Sequence, residues 1–230
     1  AGLASIVYEK LRHENQLVFD LSVGSALPHA EDDGADLAVF SEHLLQQMQQ
    51  ARVSVGIGRY HEARLLYTAG QFKVQTDEMP QARTLHLGID LYMKSNSPVF
   101  APLEGRVHSF NNNTAPLDYG PAIILEHQIE EEDGERFYTL YGHLSLDSLE
   151  DLTVGMPVAK GQSLARIGWP PANGGWPADL HFHIILDMLG VRGNFPGVAR
   201  PAEWDIWTHI CPDPNHILGI PSSCFAPDGR

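Results

Sequence analysis

From about Ser54 to Leu186 the chain is cut by Gly, Pro and Asn into short β-rich runs, and this punctuation limits what it can fold into. The runs are PVFAPLEGRVHSF, PAIILEHQI, RFYTLYGHL, VGMPVAKGQSLARIG and LHFHIIL. Each is rich in β-branched and aromatic residues and bounded by turn chemistry, so each reads as one or two strands. Together they predict a mainly β domain built on a largely antiparallel sheet. The acidic EEEDGE between the second and third runs fits a hairpin tip.

The first sixty residues have a different texture. Leu3, Ile6, Val7 and Leu11 recur at helical spacing, and Leu37, Phe40, Leu44, Leu45 and Met48 form a second apolar stripe behind the acidic AEDDGAD. Two core-facing helices are expected there. The organisation that follows is a helical N-terminal extension or interdomain connector over 1–53, then the β domain over 54–230. After Asp187 the domain continues as a C-terminal extension of loops with one short helix near Pro201 to His209.

Composition excludes several classes of function. With 43% hydrophobic and 19% charged residues in 230, the chain can bury one substantial core, as a soluble globular protein does. No apolar run approaches the roughly 20 residues that span a bilayer, and the start has no secretory pattern. The absence of an initiating Met fits a processed terminus or a piece of a longer chain. The net charge of -14 opposes phosphate backbones, so nucleic acid is not an expected partner. Two cysteines, Cys211 and Cys224, are too few for a disulfide scaffold and favour a reducing compartment.

Three segments carry metal-binding chemistry. His86 and Asp90 stand four apart around Gly88, where the glycine and the β-rich continuation favour a loop or strand over a helix. In RFYTLYGHL, alternation puts Phe137, Thr139, Tyr141 and His143 on one face. In ADLHFHIIL it puts Leu180, Phe182 and Ile184 toward a core, and Asp179, His181 and His183 on the opposite face. Two His and one Asp form a nitrogen and oxygen set that suits zinc with a fourth position for water, as in a catalytic site. Alternation alone leaves open which histidine of the last segment is the ligand.

These motifs, HLGIDL, PVFAPLEGRV, YGHL, VGMPVAKGQSLARIG and LHF, resemble in order and spacing the lysostaphin-type (LytM-like) zinc endopeptidases. The resemblance covers about Arg83 to Leu186. It implies a compact antiparallel β-sheet domain with a narrow groove, zinc as cofactor, and cleavage of peptide bonds in peptidoglycan cross-bridges. The family's His-x-x-x-Asp falls on His86 and Asp90 as zinc ligands, and its Tyr-x-His on His143 as a catalytic group. Its last element, His-Leu-His-Phe, aligns on Leu180–Phe182. That alignment makes His181 the third zinc ligand and puts Asp179 where the family has a catalytic histidine. The alternative register makes His181 catalytic and His183 the ligand, at the expense of the family's Leu and Phe positions.

The flanking stretches GRYHEARLLYT, NGGW, GNFPGV and CPDPNHILGIP look like the lysostaphin-type domain found inside long cytoplasmic proteins. There it lies between a kinase-like phosphotransferase domain and a class-III aminotransferase domain. That context implies neighbouring domains as partners and a cytoplasmic location, with the periplasm or cell envelope as the alternative. Two functions follow. One is a zinc metalloendopeptidase acting on a peptide or peptidoglycan-like amide. The other is a catalytically weak or inactive zinc-binding domain with a structural or regulatory role in a larger protein. Asp179 separates them: beside a divalent cation its carboxylate should be ionised, able to accept a proton but unable to donate to an oxyanion.

Overall fold

An eight-stranded sheet organises the chain. Its strands are β1 (Gln16–Val18), β2 (Val55–Gly58), β3 (Ile89–Tyr92), β4 (Gly105–Asn113), β5 (Gly120–Gln128), β6 (Arg136–Gly142), β7 (Pro157–Val158) and β8 (Asp179–Ile185). The computed structural model describes residues 3–7, 11, 16–25, 37–68, 70–76, 79–129 and 134–225. The acidic AEDDGAD and most of EEEDGE lie outside the described residues.

Across the sheet the order is β1-β2-β3-β8-β6-β5-β4-β7. The β1–β2 pair is parallel and the other pairs are antiparallel. The fold is mainly β and dominated by antiparallel pairing, as the punctuated runs imply. β8 lies near the middle and is buried on both faces along its length, which is why LHFHIIL reads as a nearly continuous apolar run.

On one face, Leu180, Phe182 and Ile184 pack with Ile57, Ile89, Leu91, Ile123, Leu125 and Tyr141 in the main core. Leu140, Ile124 and Ile185 point the other way, into a second cluster with Leu87, Tyr119, Met188 and Phe195. A third cluster joins the N-terminal part to the rest. Helix α1 (Leu37–Ala51) inserts Phe40, Leu44 and Met48 against Phe19, Leu66, Tyr67, Phe72, Tyr92 and Trp176. The C-terminal part has two short helices where one was expected: α2 (Trp204–Ile210), after a 3₁₀ turn at Pro201–Glu203, and α3 (Asn215–Leu218).

The N-terminal extension departs from two helices. α1 is present, but residues 3–7 are not helical. Val7 bridges antiparallel to Val99, and the Phe100 amide donates to the Ile6 carbonyl at 2.7 Å. Ile6 and Val7 are β-branched neighbours with little helix preference, and they bury in the main core as extended chain.

Candidate metal centre

Register builds the site. In the β3–β8 ladder His181 lies directly opposite Asp90 and Asp179 opposite Tyr92, and on the other side of β8 His181 faces Gly142. Directly opposed residues on one face have their Cβ atoms roughly 5 Å apart, so Asp90 and His181 meet as a consequence of pairing alone. His86 comes from a two-residue strand, Leu85–His86, paired with Val198–Ala199. Gly88 lets that strand approach: a Cβ there would fall 2.4 Å from Cε1 and 2.5 Å from Nε2 of His181.

The three side chains converge on one point. His86 Nε2 lies 3.2 Å from His181 Nδ1, and Asp90 Oδ1 lies 3.1 Å from each of them. All three residues are buried. His86 Nδ1 is 2.9 Å from the Arg59 carbonyl, which can only accept, so Nδ1 carries the proton and Nε2 presents a lone pair. Among the described residues, this is the group of His, Cys, Asp and Glu whose ligand atoms cluster closely enough to hold a metal ion.

Hydrogen bonding alone does not satisfy this cluster. A proton on His181 Nδ1 could be donated to Asp90, but the lone pair of His86 Nε2 would still face a carboxylate oxygen at 3.1 Å. Protonating His86 is opposed by burial, aided by the nearby Arg64 guanidinium, which together push its imidazole down to about 4. A cation satisfies all three atoms at once. Four donors held tetrahedrally at zinc distances of 2.0–2.1 Å stand about 3.3 Å apart, close to the separations found. The donor set therefore fits zinc.

Asp90 is held from behind. Arg64, fully buried, donates from one terminal nitrogen to Asp90 Oδ2 at 2.7 Å and to Tyr67 Oη at 3.1 Å. Its Nε donates to Glu62 Oε2 at 2.9 Å, and Glu62 Oε1 accepts the Leu21 amide at 3.0 Å. The other terminal nitrogen reaches the Arg59 carbonyl, the same oxygen that fixes His86. Burial by itself would raise the Asp90 carboxyl, but His86 and Arg64 hold it well below the usual carboxylate range.

His143 reaches the site by breaking alternation. A continued strand would carry it to the Tyr141 face, which is the main core. β6 instead ends at Gly142, and His143 takes φ 61°, turning its ring into the cavity that His86, Asp90, Asp179 and His181 also line. The sequence expectation of one face shared by Phe137, Thr139, Tyr141 and His143 is thereby corrected at its last member. His143 Nδ1 is 2.9 Å from the Asn173 carbonyl and so carries the proton, leaving Nε2 as an acceptor. Burial, assisted by His181, lowers the His143 imidazole to about 4, so it is neutral at pH 7.

Asp179 lines the same cavity, buried, with Oδ1 lacking a hydrogen-bond partner among the described residues. Burial and the Asp90 carboxylate raise its carboxyl well above the usual range, against Arg64. That is the direction in the metal-free protein; the expected ionised state is the one beside a divalent cation. His183 is one step further along the same face of β8. It is fully buried, without partners for either nitrogen among the described residues, packs against Phe195, and lies outside the cavity and the ligand cluster.

Residues 84–191, a little under half of the chain, match the family model for peptidase family M23. That segment is similar to peptidase family M23. The M23 match contains His86, Asp90, His143, Asp179 and His181, and leaves out Glu62, Arg64, Phe72 and Val198. M23 peptidases are a zinc-dependent family. Similar solved structures include a zinc-containing peptidase from Vibrio cholerae, at 23% identity over 49% of this chain and 30% of that one, TM-score 0.35. The catalytic domain of lysostaphin from Staphylococcus simulans is 24% identical over 53% of this chain and 79% of that one, TM-score 0.36. A mutant catalytic domain of the prophage-encoded M23 protein EnpA from Enterococcus faecalis is 20% identical over 49% and 79%, TM-score 0.36. The chain thus spans under a third of the Vibrio cholerae peptidase. Comparison with curated proteins gives no match.

Sequence reasoning missed the supports of this cluster. Arg64 and Glu62 lie in GRYHEARLLYT, read only as a flank, and nothing in that stretch distinguishes a buried pair from a surface one. Asn173, which anchors His143 through its carbonyl, left no signal in its side chain type.

Proposed function

We propose that this chain is a zinc-dependent metalloendopeptidase-like hydrolase acting on a peptide or peptidoglycan-type amide bond. The observation that carries this reading is the convergence of His86 Nε2, Asp90 Oδ1 and His181 Nδ1 within 3.2 Å of one another, with the His86 tautomer fixed by Arg59. These three residues would hold the ion. When bound, zinc supplies Lewis acidity toward the scissile carbonyl and an activated water.

The protein's own groups do the rest. Arg64 occupies Asp90 Oδ2, which leaves Asp90 a single ligand oxygen. His143 is neutral and offers Nε2 as a proton acceptor in the cavity. A positioned imidazole of this kind contributes typically 10²- to 10⁴-fold as a general base.

One observation favours a second reading, a zinc-binding domain of weak or absent activity. Asp179 lines the cavity beside the cluster, at the position that the Leu180–Phe182 alignment gives to a catalytic histidine, and beside zinc an ionised carboxylate there would repel a developing oxyanion. The flanking motifs further support an internal domain of a longer cytoplasmic protein, with neighbouring domains as its partners. The test is to strip the purified chain of metal, restore zinc, and offer peptides and peptidoglycan fragments. Hydrolysis that disappears and returns with zinc supports the enzyme. Tight zinc binding without hydrolysis supports the second reading, and failure to bind zinc overturns both.

A further inference from the structure

The cavity above the cluster has a volume of about 460 Å³, within the range of roughly 300–1,000 Å³ for sites that enclose small ligands. One end is polar, formed by the ligand cluster, His143 and Asp179. The rest of the wall is largely apolar, with Leu66, Tyr67, Phe72, Leu117, Trp176 and Val198 facing the space.

Two features show that this wall is built. Five of those six residues belong to the cluster that packs on Phe19, Phe40, Leu44 and Met48, and the sixth, Leu117, packs against it. The buried core of the N-terminal region therefore stands directly behind the pocket. Tyr67 is also fixed at its hydroxyl by Arg64, the residue that holds Asp90. Moreover, Leu66, Tyr67, Phe72 and Val198 lie outside residues 84–191, so segments flanking the M23 match wall in its site.

A glycine residue has no side chain with which to fill such a space. The wall away from the cluster is mostly apolar, which disfavours burying a charged side chain against it. We infer that the site accepts a compact amide whose uncharged apolar side chain, best an aromatic one, lies against Tyr67, Phe72 and Trp176 next to the scissile bond. This names the substrate class for the zinc-peptidase reading and rests on it.

Amino-acid hydroxamates test the two separately, because the hydroxamate group ligates zinc while the side chain probes the pocket. Binding of phenylalanine hydroxamate and glycine hydroxamate to the zinc-loaded chain is measured by calorimetry. The phenylalanine compound is expected to bind on the order of 10- to 100-fold more tightly, the effect of burying a phenyl ring. The variant L117N should shrink that ratio. Its asparagine tolerates the positive φ of 60° at this position, so a folded protein is expected, checked by its circular dichroism. Equal binding of the two compounds by the natural chain overturns the pocket assignment and leaves the zinc site standing. Failure of both to bind overturns the zinc reading and this inference with it.

Discussion

At the scale of single residues, the site depends on a charge balance centred on Asp90. Its two oxygens have separate duties: Oδ1 faces the imidazoles and Oδ2 the Arg64 guanidinium. Replacing Arg64 with Met would leave Asp90 and Glu62 buried without their cation. Breaking a buried pair from one side costs about 3–5 kcal/mol, so R64M should lower the unfolding free energy of the zinc-free chain, read from urea titration, by that amount and its midpoint in proportion. Zinc should recover part of the loss, since it neutralises Asp90 from the other side, and an unchanged midpoint would contradict the network. Asp179 carries the question of activity. Losing one preorganised donor costs on the order of 10²- to 10³-fold in turnover, so D179H should raise hydrolysis of a cleavable peptide by up to that factor. Strong activity in the natural chain that falls in D179H would instead make Asp179 a working base. The meeting of His86, Asp90 and His181 was legible in the sequence through motif order. Arg64 was not, because a buried arginine and a surface one are the same letter until the fold supplies its partners.

At the scale of elements, two strands and a glycine aim the ligands. The period-2 pattern of ADLHFHIIL assigned the faces of β8, and the core does contain Leu180, Phe182 and Ile184. Period alone could not choose between His181 and His183, which share a face. The choice is made by the neighbour: β3 places Asp90 opposite His181, while His183 pairs with Leu140 of β6. Cross-strand register is long-range information that one segment does not hold. His143 shows the complementary limit, since alternation fails wherever a strand stops, and a single φ of 61° redirected it. Gly88 offers a sharp test at this scale. In G88A the new methyl would lie within 2.5 Å of the His181 ring, forcing that ring away from Asp90. Zinc affinity, measured by competition with a chelator, should fall on the order of 10- to 100-fold, as for the loss of other groups that orient ligands. Unchanged affinity would mean that His181 is not a ligand.

At the scale of the whole molecule, the β domain was readable because its turns are written in Gly, Pro and Asn. The N-terminal part was harder to read, since apolar residues spaced like Leu3, Ile6 and Val7 fit a helix or a strand until a partner edge is known. Val99 provides that edge, and α1 closes the third cluster behind the cavity. Burying several neutral imidazoles also gives the molecule a pH signature. His86 and His143 are each lowered from 6.5 to about 4, so the unfolded chain binds more protons than the folded one between those values. The histidines' contribution to the stability of the zinc-free chain should therefore be full above about pH 6.5 and be lost as pH drops toward 4, by about 3 kcal/mol for each. Asp179, whose raised carboxyl acts in the opposite sense, offsets this in part. Urea midpoints across that window check it, and a flat profile would contradict the burial. The central claim is that one zinc ion is held by His86, Asp90 and His181, and elemental analysis of three purified proteins tests it most directly. The natural chain and H183A should each carry one zinc per chain, and H181A should carry none. Full zinc in H181A with loss in H183A would contradict the account.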